Sequence, residues 1–131
     1  TSSKMAMPDR LVRIYKELNE VIKLHRPDSS AVEKLFFAKN VKTGISVGQG
    51  RGVVLLSLAQ AEIPIAEYAP VEIKQAVVGY GAADKKQVQE MVKMLLGLDD
   101  IPRPDDAADG LAVAICHIHS VRYQTIYEEE V

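Results

Sequence analysis

The chain has 131 residues, of which 47% are hydrophobic and 26% charged, with a net charge of −2 and a pI near 5.9. This excludes a disordered or fibrous chain, fits one domain, and argues against a polyanion partner gathered by net charge alone. No apolar run reaches the roughly 18 residues of a membrane span, and the single cysteine, Cys116, rules out an internal disulfide framework, so a cytoplasmic protein is expected.

Leu11, Ile14, Tyr15, Leu18 and Ile22 recur at helical spacing, with Arg13, Lys16, Glu17 and Glu20 between them. With Pro8 in the first turn, the pattern predicts an amphipathic helix over about 8–25. A short strand follows at about 29–33, ending at Glu33, and then a loop. The stretch "NVKTGISVGQGRGVVLLSLAQAE" (40–62) reads as a long helix despite glycines at 44, 48, 50 and 52. "IPIAEY" (63–68) is a second strand, and "PVEIKQAVVG" (70–79) a short helix. Asp84 with Gln87 three residues on forms a capping box that opens a helix over 84–97. Pro102 and Pro104 are loop residues, a last helix spans about 105–122, and the tail "TIYEEEV" is expected to fray.

Two strands joined by a helix would be parallel neighbours. A two-stranded parallel sheet is a poor core, since sheets usually need three or more strands and parallel ones are covered on both faces. The α/β pattern therefore implies further strands, or strands from another chain.

Charge is unevenly placed. Residues 1–97 hold 14 Lys/Arg against 10 Asp/Glu, a balance of +4, while residues 98–131 hold 2 against 8, a balance of −6. A basic body with a concentrated acidic site suits a polyanion held beside metal ions. The acids converge on "RPDDAADGLAVAICHIH" (103–119), where Asp105, Asp106 and Asp109 open an apolar helix. Asp106 and Asp109 share a face, at a repulsive cost of roughly 0.2–0.5 kcal/mol. The helix N-terminus returns roughly 0.3–1 kcal/mol per favourable acid, which accounts for Asp105 as a cap. It does not account for Asp109, which lies a turn deeper in line with Val113 and Cys116. A carboxylate there is paired, protonated or bound to a cation; the bland alternative is a solvated acid.

Glu33 ends a strand, where α/β sites form, although a solvated strand end is the commoner reading. Were the last helix to pack on the sheet, Glu33 and the aspartates could meet at a hard divalent cation, Mg²⁺ or Mn²⁺. Phe36 and Phe37 are core residues or, since adjacent side chains of an extended segment diverge, one of them is a platform for a nucleic-acid base. Gly44, Gly48 and Gly52 mark a face for helix packing or a dimer seam. His117 and His119 do not share a helical face, which argues against zinc. Cys116 reads as an apolar filler. Lys74, Lys85 and Lys86 surround the "VVGYG" loop and are either solvated or anion-binding.

Four segments in order, "VEKLFFAKN" (32–40), "GQGRG" (48–52), "EYAPVEIKQAVVGYGAADKKQVQEMV" (67–92) and "DDAADGLAVAICH" (105–117), resemble the RuvC family of Holliday-junction resolvases. The resemblance covers nearly the whole chain. It implies an α/β, ribonuclease-H-like fold over residues 1–131, with the strands at about 29–33 and 63–68 in its sheet. It implies a Mg²⁺-dependent endonuclease, with Mn²⁺ able to substitute, that resolves four-way DNA junctions in recombination and repair. Glu33, Asp106 and Asp109 would ligate two ions that activate water and stabilise the leaving oxygen of an in-line hydrolysis. Phe36 would contact bases at the junction centre, and Lys74 and Lys85 would support DNA binding and catalysis. A homodimer would place paired symmetric nicks, with a branch-migration helicase complex of the RuvA–RuvB type as partner.

The family begins with three strands, the first carrying a "GxDPG"-like segment whose Asp is a further ligand. No such segment is found among these residues, and Thr1 falls just before the family's first helix. The resemblance thus implies an N-terminally incomplete domain, inactive or nearly so alone, with one edge of the Glu33 strand exposed. The alternative function is a dimerising, branched-DNA-binding module that does not cut.

Overall fold

The computed structural model describes residues 4–34 and 41–129, with side chains at 4–34 and 43–121. In chain order the elements are α1 (Met7–His25), β1 (Ser30–Glu33), α2 (Val41–Gln60), β2 (Ile65–Tyr68), α3 (Pro70–Val78), α4 (Lys85–Leu96) and α5 (Asp105–Glu129). They form two compact units. One holds α1 and α2; the other holds Ala31–Lys34 and the chain from Ala66 onward.

In the first unit α1 packs on α2. All five apolar positions read from the sequence, Leu11, Ile14, Tyr15, Leu18 and Ile22, are half-buried, and the Tyr15 hydroxyl donates to Gln60 Oε1 at 2.6 Å. Gly50 of α2 looks onto α1, where an added Cβ would lie 3.9 Å from Ile14 Cδ1. Gly52, in the expected 44–48–52 series, faces open space.

The second strand starts later than the expected residue 63. Ile63 instead closes α2: its N–H donates to Leu58 O at 3.0 Å, and Glu62 N–H to Ala59 O at 3.0 Å. This is a Schellman motif, with Glu62 left-handed at φ 58° and Ile63 and Leu58 buried. The apolar pattern alone did not separate a buried helix stop from a strand start.

β1 and β2 pair in a two-stranded sheet. Ser30 N–H donates to Pro64 O at 2.9 Å and Lys34 N–H to Tyr68 O at 2.8 Å. The constant offset makes the strands parallel. Both strands alternate little, as short strands in a covered sheet do.

The core of the second unit gathers Ile73 and Val77 of α3, Val92 of α4 and Ala112, Val113, Ile115 and Cys116 of α5. Val92 is 0% exposed. Cys116 is buried as expected of an apolar filler, and burial pushes its thiol pKa up. The α4 capping box forms as read: Gln87 N–H donates to Asp84 Oδ1 and Asp84 N–H to Gln87 Oε1, each at 2.8 Å. Gly97, at φ 63°, closes α4 with a second Schellman motif. The final helix continues past the expected residue 122 to Glu129, rather than fraying from 125, since no glycine or proline interrupts 111–129. Among the described residues, no helix is long and apolar enough to cross a membrane.

Candidate active site

Four elements of the second unit bring polar groups to one place. β1 ends on Glu33, α3 carries Lys74, α4 opens at Lys85, and the second turn of α5 carries Asp109. These four side chains line a cavity of about 270 Å³, whose other walls are Pro70, Ile73, Val88, Ala112 and Val113. Two acids and two bases thus surround an apolar hollow at the carboxyl end of a parallel strand, where ligands of open α/β sheets bind.

The electrostatics couple the acids. Burial raises the Glu33 carboxyl pKa, the negative charge of Asp109 raises it further, and Lys74 partly offsets both. Glu33 is exposed at the strand end as expected, yet its carboxyl is partly withdrawn from water. An added divalent cation would relieve the repulsion between these two acids.

Asp109 is exposed, so it is not the buried carboxylate that the helical wheel implied. The buried residue of that turn is its neighbour Ala108, at 1% exposure. Val113 and Cys116, in line with Asp109, are buried, and Asp109 itself is exposed because it sits in the second turn of α5, where the cavity opens. Asp106 lies one turn earlier, also exposed, and is not among the cavity-lining residues. Its charge is felt at Lys85.

Asp105 is the first residue of α5, and its carboxylate reaches across to α4. It pairs with Lys85 Nζ at 3.1 Å and accepts a long hydrogen bond from Gln89 Nε2 at 3.4 Å. The residue expected to cap its own helix is the first residue of that helix, and its carboxylate bridges to the preceding helix, α4. The hydrogen bond and the charge of Asp105, followed by the charge of Asp109, raise the Lys85 ammonium pKa. Lys85 stays protonated and stands before all three aspartates.

Among the described residues, no group of three or more His, Cys, Asp or Glu comes together as a metal cage. Glu33 and Asp109 do share a cavity, and their oxygens are the donors a hard cation takes. Mg²⁺ is usually held by one or two carboxylates together with waters and substrate phosphates, not by an all-protein cage. The residues present fit that mode. Phe36, with Phe37 and Lys39, lies outside the described residues.

One contact was not read from the sequence. The Tyr68 hydroxyl and His117 Nδ1 share a hydrogen bond of 2.7 Å, with ring centroids 5.7 Å apart, joining β2 to α5. The available signal was the position of His117, two turns beyond Asp109 and in line with the core face.

Comparison with known proteins places this arrangement. The structure superimposes on the Thermus thermophilus RuvC structure with a TM-score of 0.86, at 38% identity, over 95% of this chain and 75% of that one. It superimposes on T. thermophilus RuvC in complex with a Holliday junction substrate with a TM-score of 0.89, at 38% identity, over 95% and 76%. The fold is accordingly the α/β, ribonuclease-H-like one. A family model described as crossover junction endodeoxyribonuclease RuvC matches residues 1–117. Proteins of that name from Syntrophomonas wolfei subsp. wolfei and Chloroflexus aurantiacus are 56% and 59% identical, over 98% and 92% of this chain and 74% and 73% of their own lengths. The chain belongs to the RuvC family of crossover junction endodeoxyribonucleases. Enzymes so named are hydrolases acting on DNA phosphodiester bonds, and nucleases of this family are metal-dependent.

Proposed function

We propose that this chain acts at four-way DNA junctions, hydrolysing phosphodiester bonds with Mg²⁺ bound at Glu33 and Asp109, and with Mn²⁺ as a substitute. The observation that carries the reading is that Glu33 and Asp109 line one cavity with Lys74 and Lys85. Support for the substrate comes from the likeness to the T. thermophilus protein in complex with a Holliday junction substrate.

Glu33 and Asp109 would hold the cation, and Asp106, one turn earlier on α5 and outside the cavity lining, would be available as a further carboxylate. When bound, the ion activates water and stabilises the charge that develops on the scissile phosphate. Lys74 and Lys85 bind and orient the phosphate, acting as point charges. The apolar walls limit the water around the reacting group. The protein works in the cytoplasm as a homodimer, in concert with a branch-migration complex of the RuvA–RuvB type. Open space at Gly52 leaves that face of α2 free for a close approach by a second copy.

A second reading, binding without cutting, is favoured by one observation: no third carboxylate joins Glu33 and Asp109 among the described residues. The two readings separate when a four-way junction and a linear duplex of the same sequence are incubated with the chain in Mg²⁺ and in Ca²⁺. The proposed activity gives paired nicks in the junction alone and in Mg²⁺ alone. Retention of the junction in both ions without nicking supports the second reading.

A further inference from the structure

We infer that Tyr68 and His117 form a positioning pair that fixes the two acidic arms of the cavity relative to each other. This rests on reading Glu33 and Asp109 as ligands of a divalent ion.

The two arms come from distant parts of the chain, one a strand end and the other a helix. Tyr68 touches both. Its carbonyl accepts the Lys34 N–H at 2.8 Å, holding the backbone directly after Glu33. Its phenol meets His117 Nδ1 at 2.7 Å on α5, eight residues beyond Asp109, a rise of about 12 Å along the helix. Both side chains are half-buried, and Tyr68 packs against the core cluster, so the bond is partly shielded from competing water. Apolar packing holds α5 against α3 and α4 but tolerates small slides and rotations. A directional bond between β2 and α5 removes that freedom. Neither residue of the pair is among those lining the cavity. The pair acts by setting where Asp109 stands relative to Glu33, as outer-shell groups set the geometry of inner ligands.

The test measures Mn²⁺ binding to the DNA-free chain, with free Mn²⁺ counted by electron paramagnetic resonance. Wild type is compared with Tyr68→Phe, His117→Ala, His117→Asn, Glu33→Gln and Asp109→Asn, and melting curves establish that each variant is folded. Tyr68→Phe and His117→Ala are expected to weaken Mn²⁺ binding roughly tenfold, the lower end of outer-shell effects. His117→Asn keeps a hydrogen-bonding atom near the place of Nδ1 and is expected to restore most of the affinity. Wild-type affinity in Tyr68→Phe, or no gain of His117→Asn over His117→Ala, overturns the positioning role. If Glu33→Gln and Asp109→Asn leave Mn²⁺ binding intact, the ligand assignment itself falls and the pair's role falls with it. If those two abolish binding while Tyr68→Phe does not weaken it, the pair alone is overturned. A wild-type chain that takes up no Mn²⁺ overturns both.

Discussion

Glu33 and Asp109, at the end of a strand and in the second turn of the last helix, line the same cavity, and the charge of Asp109 adds to burial in raising the Glu33 carboxyl pKa. Two carboxylates held in mutual repulsion, with Lys74 and Lys85 on the same cavity, leave the metal-free site electrostatically unsatisfied. The site is arranged for what binds to it at some expense to the empty fold.

That expense has a pH signature. A carboxyl whose pKa is higher folded than unfolded binds more protons in the folded chain, so stability falls as pH rises. The contribution of Glu33 is fully present below its unfolded pKa and is lost as pH climbs through the raised folded one. Glu33→Gln, neutral at every pH, should therefore melt at a higher temperature than wild type at pH 7 without divalent ions. The gap should close toward pH 4. Mg²⁺ should raise the wild-type melting temperature more than that of the variant, because ligand binding stabilises the state that binds it. Thermal melts across pH, with and without Mg²⁺, check both signs.

Lys85 is held at 3.1 Å by Asp105 and stands in the field of Asp109 and Asp106. Where it contacts a phosphate, Lys85→Gln should weaken junction binding in Ca²⁺ and make the plot of log affinity against log salt shallower by about one. Asp105→Asn releases the lysine and removes a negative charge, so it should tighten binding. Salt titrations of junction affinity decide the matter, and an unchanged slope in Lys85→Gln argues against a phosphate contact.

α2 ends with Glu62 in the left-handed region at φ 58°, whereas α4 ends with Gly97 in the same role at φ 63°. A side chain at such a position costs energy that glycine avoids. Glu62→Gly should stabilise the chain by about 0.5–1 kcal/mol, raising the melting temperature by about 2–5 °C. The change lies outside the cavity and should leave Mn²⁺ affinity unaltered.

Val92 is wholly buried between α3 and α5. Val92→Ala removes two methyl groups and leaves a void, at a cost of roughly 2–3 kcal/mol. Denaturant titration should show a lower midpoint with an unchanged slope.

What the sequence disclosed follows the range of the interactions. The apolar stripe of α1 and the Asp84–Gln87 capping box are set within one or two turns, and both were legible. So was the α/β order, from elements short enough to punctuate one another. Ile63 was misread as strand because a buried helix stop and a buried strand start share the same apolar residues. For Asp109 the wheel gave the line, which holds the buried Val113 and Cys116, but left open whether the acid itself was solvated; where the core stops and the cavity opens is a matter of packing. The Asp105–Lys85 and Tyr68–His117 links join separate elements, and no spacing along the chain encodes them. Glu33 was raised by its strand-end position, and Lys74 and Lys85 as solvated or anion-binding residues, before a family likeness gave them roles; their meeting with Asp109 in one cavity is a tertiary fact. Phe36 lies outside the described residues, and its part at the junction centre rests on that likeness.

The central claim, that Glu33 and Asp109 together hold the ion that cuts, is tested most directly by measuring junction binding in Ca²⁺ and single-turnover junction cleavage in Mg²⁺ side by side. Wild type, Glu33→Gln and Asp109→Asn are compared. The account predicts that wild type cuts, and that both variants hold the junction at least as tightly yet cut it about 100-fold or more slowly. Cleavage at the wild-type rate by either variant would contradict it, as would a wild-type chain that binds the junction in both ions and never cuts.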